Sequence, residues 1–222
     1  MQTVTRRQIL GAASMVGIAP LAMTRLAVAA QTEPDLQFIL HAVFFSKESH
    51  KDMPLDPHAF VKDASAPAAV GPQNIPHAAG FRPALVAGSL EVEAFNAQGK
   101  SLGFTIADWF AAKGSVSLTP SGDGAKIDCR FTQLRPNGVY SLFENRFDQK
   151  PIGFTPSDGT GKGNSFAAGA NGSATISLLS PRPLTHDNAV LLVYHSDNTA
   201  HGAERGEIGV TAHHQIIVRI PA

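Results

Sequence analysis

The chain has 222 residues, in which 18 lysines and arginines balance 18 aspartates and glutamates, and 43% of the residues are apolar. The first 30 residues hold three arginines and no acid, so the other 192 carry 15 basic and 18 acidic side chains. This balance excludes the concentrated basic surface of a nucleic-acid-binding protein, and the apolar content excludes a disordered chain. The single cysteine, Cys129, excludes an internal disulfide and a metal site built from several thiolates of one chain.

The first predicted element is an export signal in residues 1–30. Arg6 and Arg7 precede an apolar stretch over residues 9–23, and small residues follow at 27–30. A charged start, an apolar middle too short to cross a bilayer and an A-x-A-like end are typical of a secretory signal peptide. The paired arginines resemble those of a twin-arginine signal.

That resemblance implies export of the folded protein. The twin-arginine export machinery would bind Arg6 and Arg7, and signal peptidase would then remove the segment. The mature chain is therefore expected to be periplasmic or secreted, without a stable membrane anchor. Because this route often carries proteins that have already bound a cofactor, the signal is compatible with a metal or cofactor but does not require one.

Residues 31–84 are predicted to form an N-terminal strand and a Pro-rich loop that wraps the domain. The apolar run at residues 38–45 is the candidate strand. Residues 46–83 hold six prolines and few periodic runs. This composition is typical of a long ordered loop or of a flexible segment.

Residues 85–222 are predicted to form a β-sandwich domain. Ile127, Cys129 and Phe131 alternate with polar residues, which places them on one face of a strand over residues 125–134. Further strand candidates lie at residues 89–94, 115–119, 173–178, 189–194 and 215–220. One short helix is expected near residues 106–113, capped by Thr105 or Asp108. This pattern predicts a mainly β fold, an antiparallel Greek-key sandwich of immunoglobulin-like type.

The spacing of Leu134, Pro136 and Tyr140 resembles the tyrosine corner of fibronectin type III and immunoglobulin-like domains. The resemblance implies that the Tyr140 hydroxyl bonds to the backbone just upstream; the alternative is a hairpin turn followed by an ordinary strand tyrosine. With the closing segments at residues 194–197 and 213–215, the chain is similar to uncharacterised exported β-sandwich proteins. That similarity implies no activity.

Histidine is the enriched reactive side chain, since five of the nine histidines lie within residues 186–214. His195 and Asp197 share a face at the end of a strand, and His201 lies in the following loop. His213 begins the last strand, and it is preferred to His214 because adjacent strand residues point to opposite faces. If the two strands are antiparallel neighbours, His195, Asp197, His201 and His213 gather into a site that suits Zn²⁺, Cu²⁺ or Fe²⁺.

Two other roles for these residues stay open. His195 and Asp197 could tie down a loop by hydrogen bonds, or His195 could act as a base oriented by Asp197 or Glu207. Because the sequence contains no G-x-S-x-G, H-E-x-x-H or C-x-x-C motif, no catalytic residue is assigned. The sequence favours a non-catalytic binding or structural protein of the periplasm; the alternatives are a periplasmic metal-binding protein and a hydrolase.

Overall fold

The computed structural model describes residues 35–222. The predicted signal peptide, including Arg6 and Arg7, lies outside the described residues. The described part is mainly antiparallel β structure, as predicted, with sixteen strands, two α-helices and one 3₁₀ turn. Among these elements, no helix has the length and apolar character that a membrane crossing requires.

Two sheets form the sandwich, and all of their strand pairs are antiparallel. The first has the order β1-β9-β10-β14, and the second has the order β12-β11-β15-β16-β2, with β13 paired to β11. Because the chain passes from β10 in the first sheet to β11 in the second, and from β14 back to β15, the connections cross between layers as in a Greek key. The strands are β1 Leu36–Gln37, β2 Ile39–Leu40, β9 Lys113–Ser121, β10 Gly124–Thr132, β11 Val139–Arg146, β12 Gly153–Pro156, β13 Ser165–Ala167, β14 Ala174–Ser180, β15 Asn188–His195 and β16 Ala212–Arg219.

A third sheet is formed by the part of the chain between β2 and β9, and it has the order β6-β3-β7-β8. Its strands are β3 Leu55–Lys62, β6 Phe81–Leu85, β7 Glu93–Phe95 and β8 Ser101–Thr105, and a small ribbon pairs β4 Ala69–Val70 with β5 Pro76–His77. β3 pairs with β7 at Phe60 and Phe95. The third sheet therefore contains residues on both sides of position 85, where the β-sandwich domain was predicted to begin. Helix α1 (His41–Glu48) contacts β3 and β16, so it lies between the third sheet and the second.

The main core lies between the two sheets of the sandwich, and the alternation in β10 is confirmed. Ile127, Cys129 and Phe131 are buried there, while Lys126 and Arg130 are exposed. Burial raises the pKa of the Cys129 thiol to about 12. Cys129 is therefore a small core residue rather than a reactive one.

The tyrosine corner is also confirmed. The backbone N–H of Arg135 donates to the Tyr140 hydroxyl at 2.9 Å. Tyr140 is buried near the start of β11, just after the turn at which the chain crosses from one sheet to the other. The phenol therefore stabilises the crossover by pairing a turn N–H that would otherwise lack a partner.

The predicted short helix is present as α2 (Ile106–Ala111). Thr105 and Asp108 form a reciprocal capping box, in which each side chain accepts a hydrogen bond from the other residue's backbone N–H. The helix turns Trp109 into the core, where the residue is 2% exposed. α2 thus positions the tryptophan between the third sheet and β16.

Two predictions about strands are wrong. Residues 38–45 do not form one strand, since β2 ends at Leu40 and α1 begins at His41. A short apolar run fits a buried helix as well as a strand, and here His41, Ala42 and Ser46 form the buried face of a helix. The strand predicted at residues 89–94 begins only at Glu93, because residues 90–92 form a bend.

The segment predicted as a loop at residues 46–83 contains β3. The pairing of β3 with β6 is interrupted between Asp56 and Phe60, and Pro57 lies in this irregular stretch. Because proline has no N–H to give to a ladder, it is tolerated at an interruption of this kind. His58 lies in the same interruption, so it takes no part in the regular pairing of β3 with β6.

Candidate metal centre

The structure brings together three of the four residues predicted from the sequence. His195, Asp197 and His201 each offer a ligand atom, and these atoms lie within 4.8 Å of one another. His195 is the last residue of β15, while Asp197 and His201 lie in the loop after it. The imidazole of His201 is 3.0 Å from the Asp197 carboxylate, measured from Nε2 to Oδ2.

His213 does not join this group. It pairs with Tyr194 in the sheet and points into the main core, where its ring lies 6.2 Å from that of Trp109 between centroids. Its Nδ1 donates to the His58 carbonyl oxygen at 2.8 Å, and its Nε2 lies 3.1 Å from the Ser196 hydroxyl. With both nitrogens engaged, His213 is a hydrogen-bonding residue of the core.

The adjacent residues His213 and His214 face opposite sides of the sheet, and a β-bulge decides which of the two faces the main core. The register between β15 and β16 shifts so that Val193 faces His214 while Leu192 faces Ile216, which leaves Gln215 as the extra residue. Without the bulge, His214 and Ile216 would share a face. With it, His214 leaves the main core and faces the layer formed by α1 and β3.

On that face three buried histidines form a second group of possible ligands. His41 at the start of α1, His58 in β3 and His214 in β16 offer ligand atoms within 4.8 Å of one another. The rings of His58 and His214 are stacked with centroids 4.1 Å apart, and His41 meets both edge-on at 5.2 and 4.9 Å. We call these three residues the buried triad.

Burial keeps all three imidazoles neutral. It lowers the pKa of His41 to about 3 and holds the pKa values of His58 and His214 well below the usual value. A neutral imidazole has a lone pair for a metal ion, whereas a protonated one has none. The buried triad is therefore ready to bind a cation at neutral pH without first releasing protons.

Several nitrogens of the buried triad have no hydrogen-bond partner among the described residues. They are Nδ1 of His41, Nδ1 of His58 and both ring nitrogens of His214. An unpaired buried polar group costs about 1–3 kcal/mol. Buried polar groups are normally paired with protein, water or a bound ion.

The backbone and side chain of His58 are held in place by three contacts. Its Nε2 donates to the Gln73 side-chain oxygen at 2.8 Å, its N–H donates to Asp56 Oδ1 at 2.7 Å, and its carbonyl accepts the bond from His213. Because the proton is on Nε2, the lone pair of His58 is on Nδ1, which has no hydrogen-bond partner among the described residues. These outer contacts orient the imidazole as the supporting residues of metal sites do.

Asp56 connects this arrangement to α2. The indole N–H of Trp109 donates to Asp56 Oδ2 at 2.7 Å, and the Trp109 carbonyl accepts a bond from the Gln215 side-chain amide at 2.9 Å. Burial raises the pKa of Asp56 to about 6, with the hydrogen bonds opposing the shift. The bulge residue Gln215 and the irregular part of β3 are thus tied to the same helix.

The contact between Ser141 Oγ and His195 Nε2, at 2.7 Å, has the atoms of a nucleophile–base pair. Ser141 is 1% exposed, and its hydroxyl also lies 2.8 Å from the Ser165 hydroxyl. A substrate carbonyl does not reach an oxygen that is covered in this way. The pair gives no support to the hydrolase alternative.

Sequence reasoning missed His41 and His58. They lie 17 residues apart in the part of the chain predicted as a strand and a loop, far from His214 in sequence. Two features of the sequence could have pointed to them: residues 41–58 contain three histidines, and the alternation of strand faces could have told which of these face the sheet. The second feature failed because the alternation is broken at the bulge of β16 and at the irregular part of β3.

Comparison of the chain with protein-family models, with curated proteins and with solved structures gives no match. The function is therefore inferred from the geometry of the two histidine groups.

Proposed function

We propose that the protein is an exported metal-binding β-sandwich protein that holds one Zn²⁺ or Cu²⁺ ion with His41, His58 and His214. The observation that carries the proposal is the proximity of three buried, neutral imidazoles, each of which offers a ring nitrogen within 4.8 Å of the others. Each of them also has at least one ring nitrogen with no hydrogen-bond partner among the described residues. The proposal develops the metal-binding alternative of the sequence analysis at a different set of ligands.

The donor set supports these two ions. Imidazole suits zinc and copper(II), and three histidines are a common protein ligand set for zinc with a fourth position left for water or another ligand. Tetrahedral ligands at Zn–N distances near 2.1 Å lie about 3.4 Å apart. The imidazoles would therefore move inward by at most about 1.5 Å on binding.

Export through the twin-arginine machinery, recognised through Arg6 and Arg7, is the second part of the proposal. It is supported by the order of charged, apolar and small residues in the first 30 positions. Export in the folded state would allow the buried triad to be loaded before the chain leaves the cytoplasm. Lysine at both positions is expected to leave the protein in the cytoplasm, which fractionation of cells checks; secretion of that variant would contradict this route.

The metal proposal is tested by elemental analysis of the full chain after dialysis against a weak chelator. We expect one equivalent of zinc or copper in the natural protein and less than a tenth in His58→Ala and His214→Ala. The matched control is His186→Ala, because the His186 side chain is exposed. Retention of a full equivalent in both folded triad variants would contradict the proposal.

A further inference from the structure

The group formed by His195, Asp197 and His201 differs from the buried triad in exposure. His195 is buried, His201 is half-buried and Asp197 is exposed. A ligand held there is in contact with solvent on one side. We call these three residues the rim cluster.

A chain of hydrogen bonds fixes the protonation of His195. The Asn164 amide donates its N–H to the Leu142 carbonyl at 3.1 Å, so its Oδ1 accepts the Ser165 hydroxyl at 3.2 Å. Since Ser165 donates its single proton to Asn164, it accepts from Ser141 at 2.8 Å. Ser141 in turn accepts from His195 Nε2 at 2.7 Å.

The direction of this chain places the proton of His195 on Nε2 and the lone pair on Nδ1. Nδ1 is buried and has no hydrogen-bond partner among the described residues. Burial lowers the pKa of His195 to about 4, so the ring is neutral at physiological pH. The imidazole is thus held with Nδ1 as its free donor atom, and its ring centroid lies 5.2 Å from that of His201.

The loop holds the other two side chains close to this donor. Asp197 accepts the Thr199 N–H at 3.1 Å through Oδ1, which leaves Oδ2 toward His201. Gly206 has a φ of 84°. A Cβ there would lie 3.0 Å from the His201 ring, so glycine is the residue that lets the loop pack against the imidazole.

We propose that the rim cluster is a second metal site, which binds an exchangeable Zn²⁺ ion through His195 Nδ1, Asp197 Oδ2 and His201. Two imidazoles and one carboxylate are a ligand set that zinc uses in sites with an open position. The exposed carboxylate gives the ion direct access from solvent and leaves the remaining position to water. The proposal shares no ligand with the buried triad and does not depend on it.

Titration of the metal-free full chain with ZnCl₂ tests the rim cluster. We expect two equivalents bound to the natural protein and one to His201→Ala, with the lost equivalent being the one that a weak chelator removes. Asp197→Asn is expected to weaken the same site by 10-fold or more, and His186→Ala is expected to bind two equivalents. Unchanged stoichiometry and affinity in both rim variants would overturn the proposal, as would the absence of a chelator-exchangeable equivalent in the natural protein.

The two sites are distinguished by their own variants. If His214→Ala keeps one exchangeable equivalent that disappears in the double variant with His201→Ala, the rim cluster binds zinc whatever the fate of the buried triad. Ser141→Ala provides a readout for the hydrogen-bond chain: we expect the stoichiometry to be retained and the zinc affinity of the rim cluster to fall 10- to 100-fold. An unchanged affinity in Ser141→Ala would show that the hydrogen bonds from Ser141 to Asn164 do not determine which nitrogen of His195 binds zinc.

Discussion

At the scale of single residues, hydrogen-bond partners decide which histidine nitrogens are free for a ligand. His213 uses both nitrogens within the protein, whereas among the described residues His58 and His195 have a partner at Nε2 and none at Nδ1. His214 uses neither among the described residues. The position of a histidine in the sequence therefore does not tell which of its nitrogens is free. The groups around the ring decide this, because they determine which nitrogen of a neutral imidazole donates and which accepts.

Gln73 is expected to act as a positioning residue for the buried triad. Gln73→Leu removes the acceptor for His58 Nε2–H and should lower metal affinity 10- to 100-fold while the stoichiometry stays the same. Gln73→Glu keeps an acceptor and should restore the affinity. Competition with a chromophoric chelator measures both.

The matched control for Gln73→Leu is Gln133→Leu. Gln133 is also an exposed glutamine with φ 57°, so both replacements carry the same backbone strain. An equal loss of affinity in the two variants would mean that the effect comes from strain and not from the contact with His58.

At the scale of elements, the sequence predicted the strands whose two faces differ. β10 alternates between buried positions and half-buried or exposed ones, and β14 alternates between exposed positions and less exposed ones. Period-two reasoning located both strands. The tyrosine corner and the capping box were also found, because each has side chains at fixed spacing that make local bonds. These features depend on neighbours in sequence.

The elements that build the buried triad could not be predicted in this way. Pro57 makes the sequence of β3 resemble that of a loop. The bulge at Gln215 has no signal in the sequence, since it arises from the pairing of β16 with β15. The start of α1 lies in an apolar run that fits either kind of element. Each of the three histidines is thus placed by tertiary contacts that act against the local pattern.

The capping box of α2 allows a prediction at this scale. Thr105→Ala removes the side-chain acceptor for the Asp108 N–H and should lower the free energy of unfolding by about 0.5–2 kcal/mol. Because the two side chains act as a unit, Asp108→Ala should cost less in the Thr105→Ala background than alone. Urea denaturation of the two single variants and the double variant measures the coupling, and strictly additive losses would contradict it.

At the scale of the whole molecule, the fold keeps five imidazoles neutral by enclosing them. Burial is the largest cause of the lowered pKa of each member of the buried triad and of His195 and His213. Their unfolded-state value is 6.5. Below that pH the unfolded chain binds more protons than the folded one at these positions, so acidification favours unfolding.

The metal-free protein is therefore expected to lose stability as the pH falls from 6.5 to about 4. Each histidine of lowered pKa contributes up to about 1.4 kcal/mol per pH unit within its window. Asp56 and Glu144 act in the opposite direction, because burial raises the pKa of each carboxyl and the folded state takes up their protons first. With five groups against two, a net loss is expected, and urea midpoints at pH 7, 6, 5 and 4 measure it.

The variant His214→Phe tests whether the buried histidines, and not the other titratable groups, cause the loss of stability at low pH. His214→Phe removes one buried imidazole beside the Phe154 ring, with which His214 stacks at 5.6 Å. The slope of stability against pH between 6.5 and 4 should fall by up to about 1.4 kcal/mol per unit, whereas His186→Phe, on the surface, should keep the natural slope. A slope that His214→Phe leaves unchanged, or a protein that gains stability on acidification, would show that the buried imidazoles do not control the acid response.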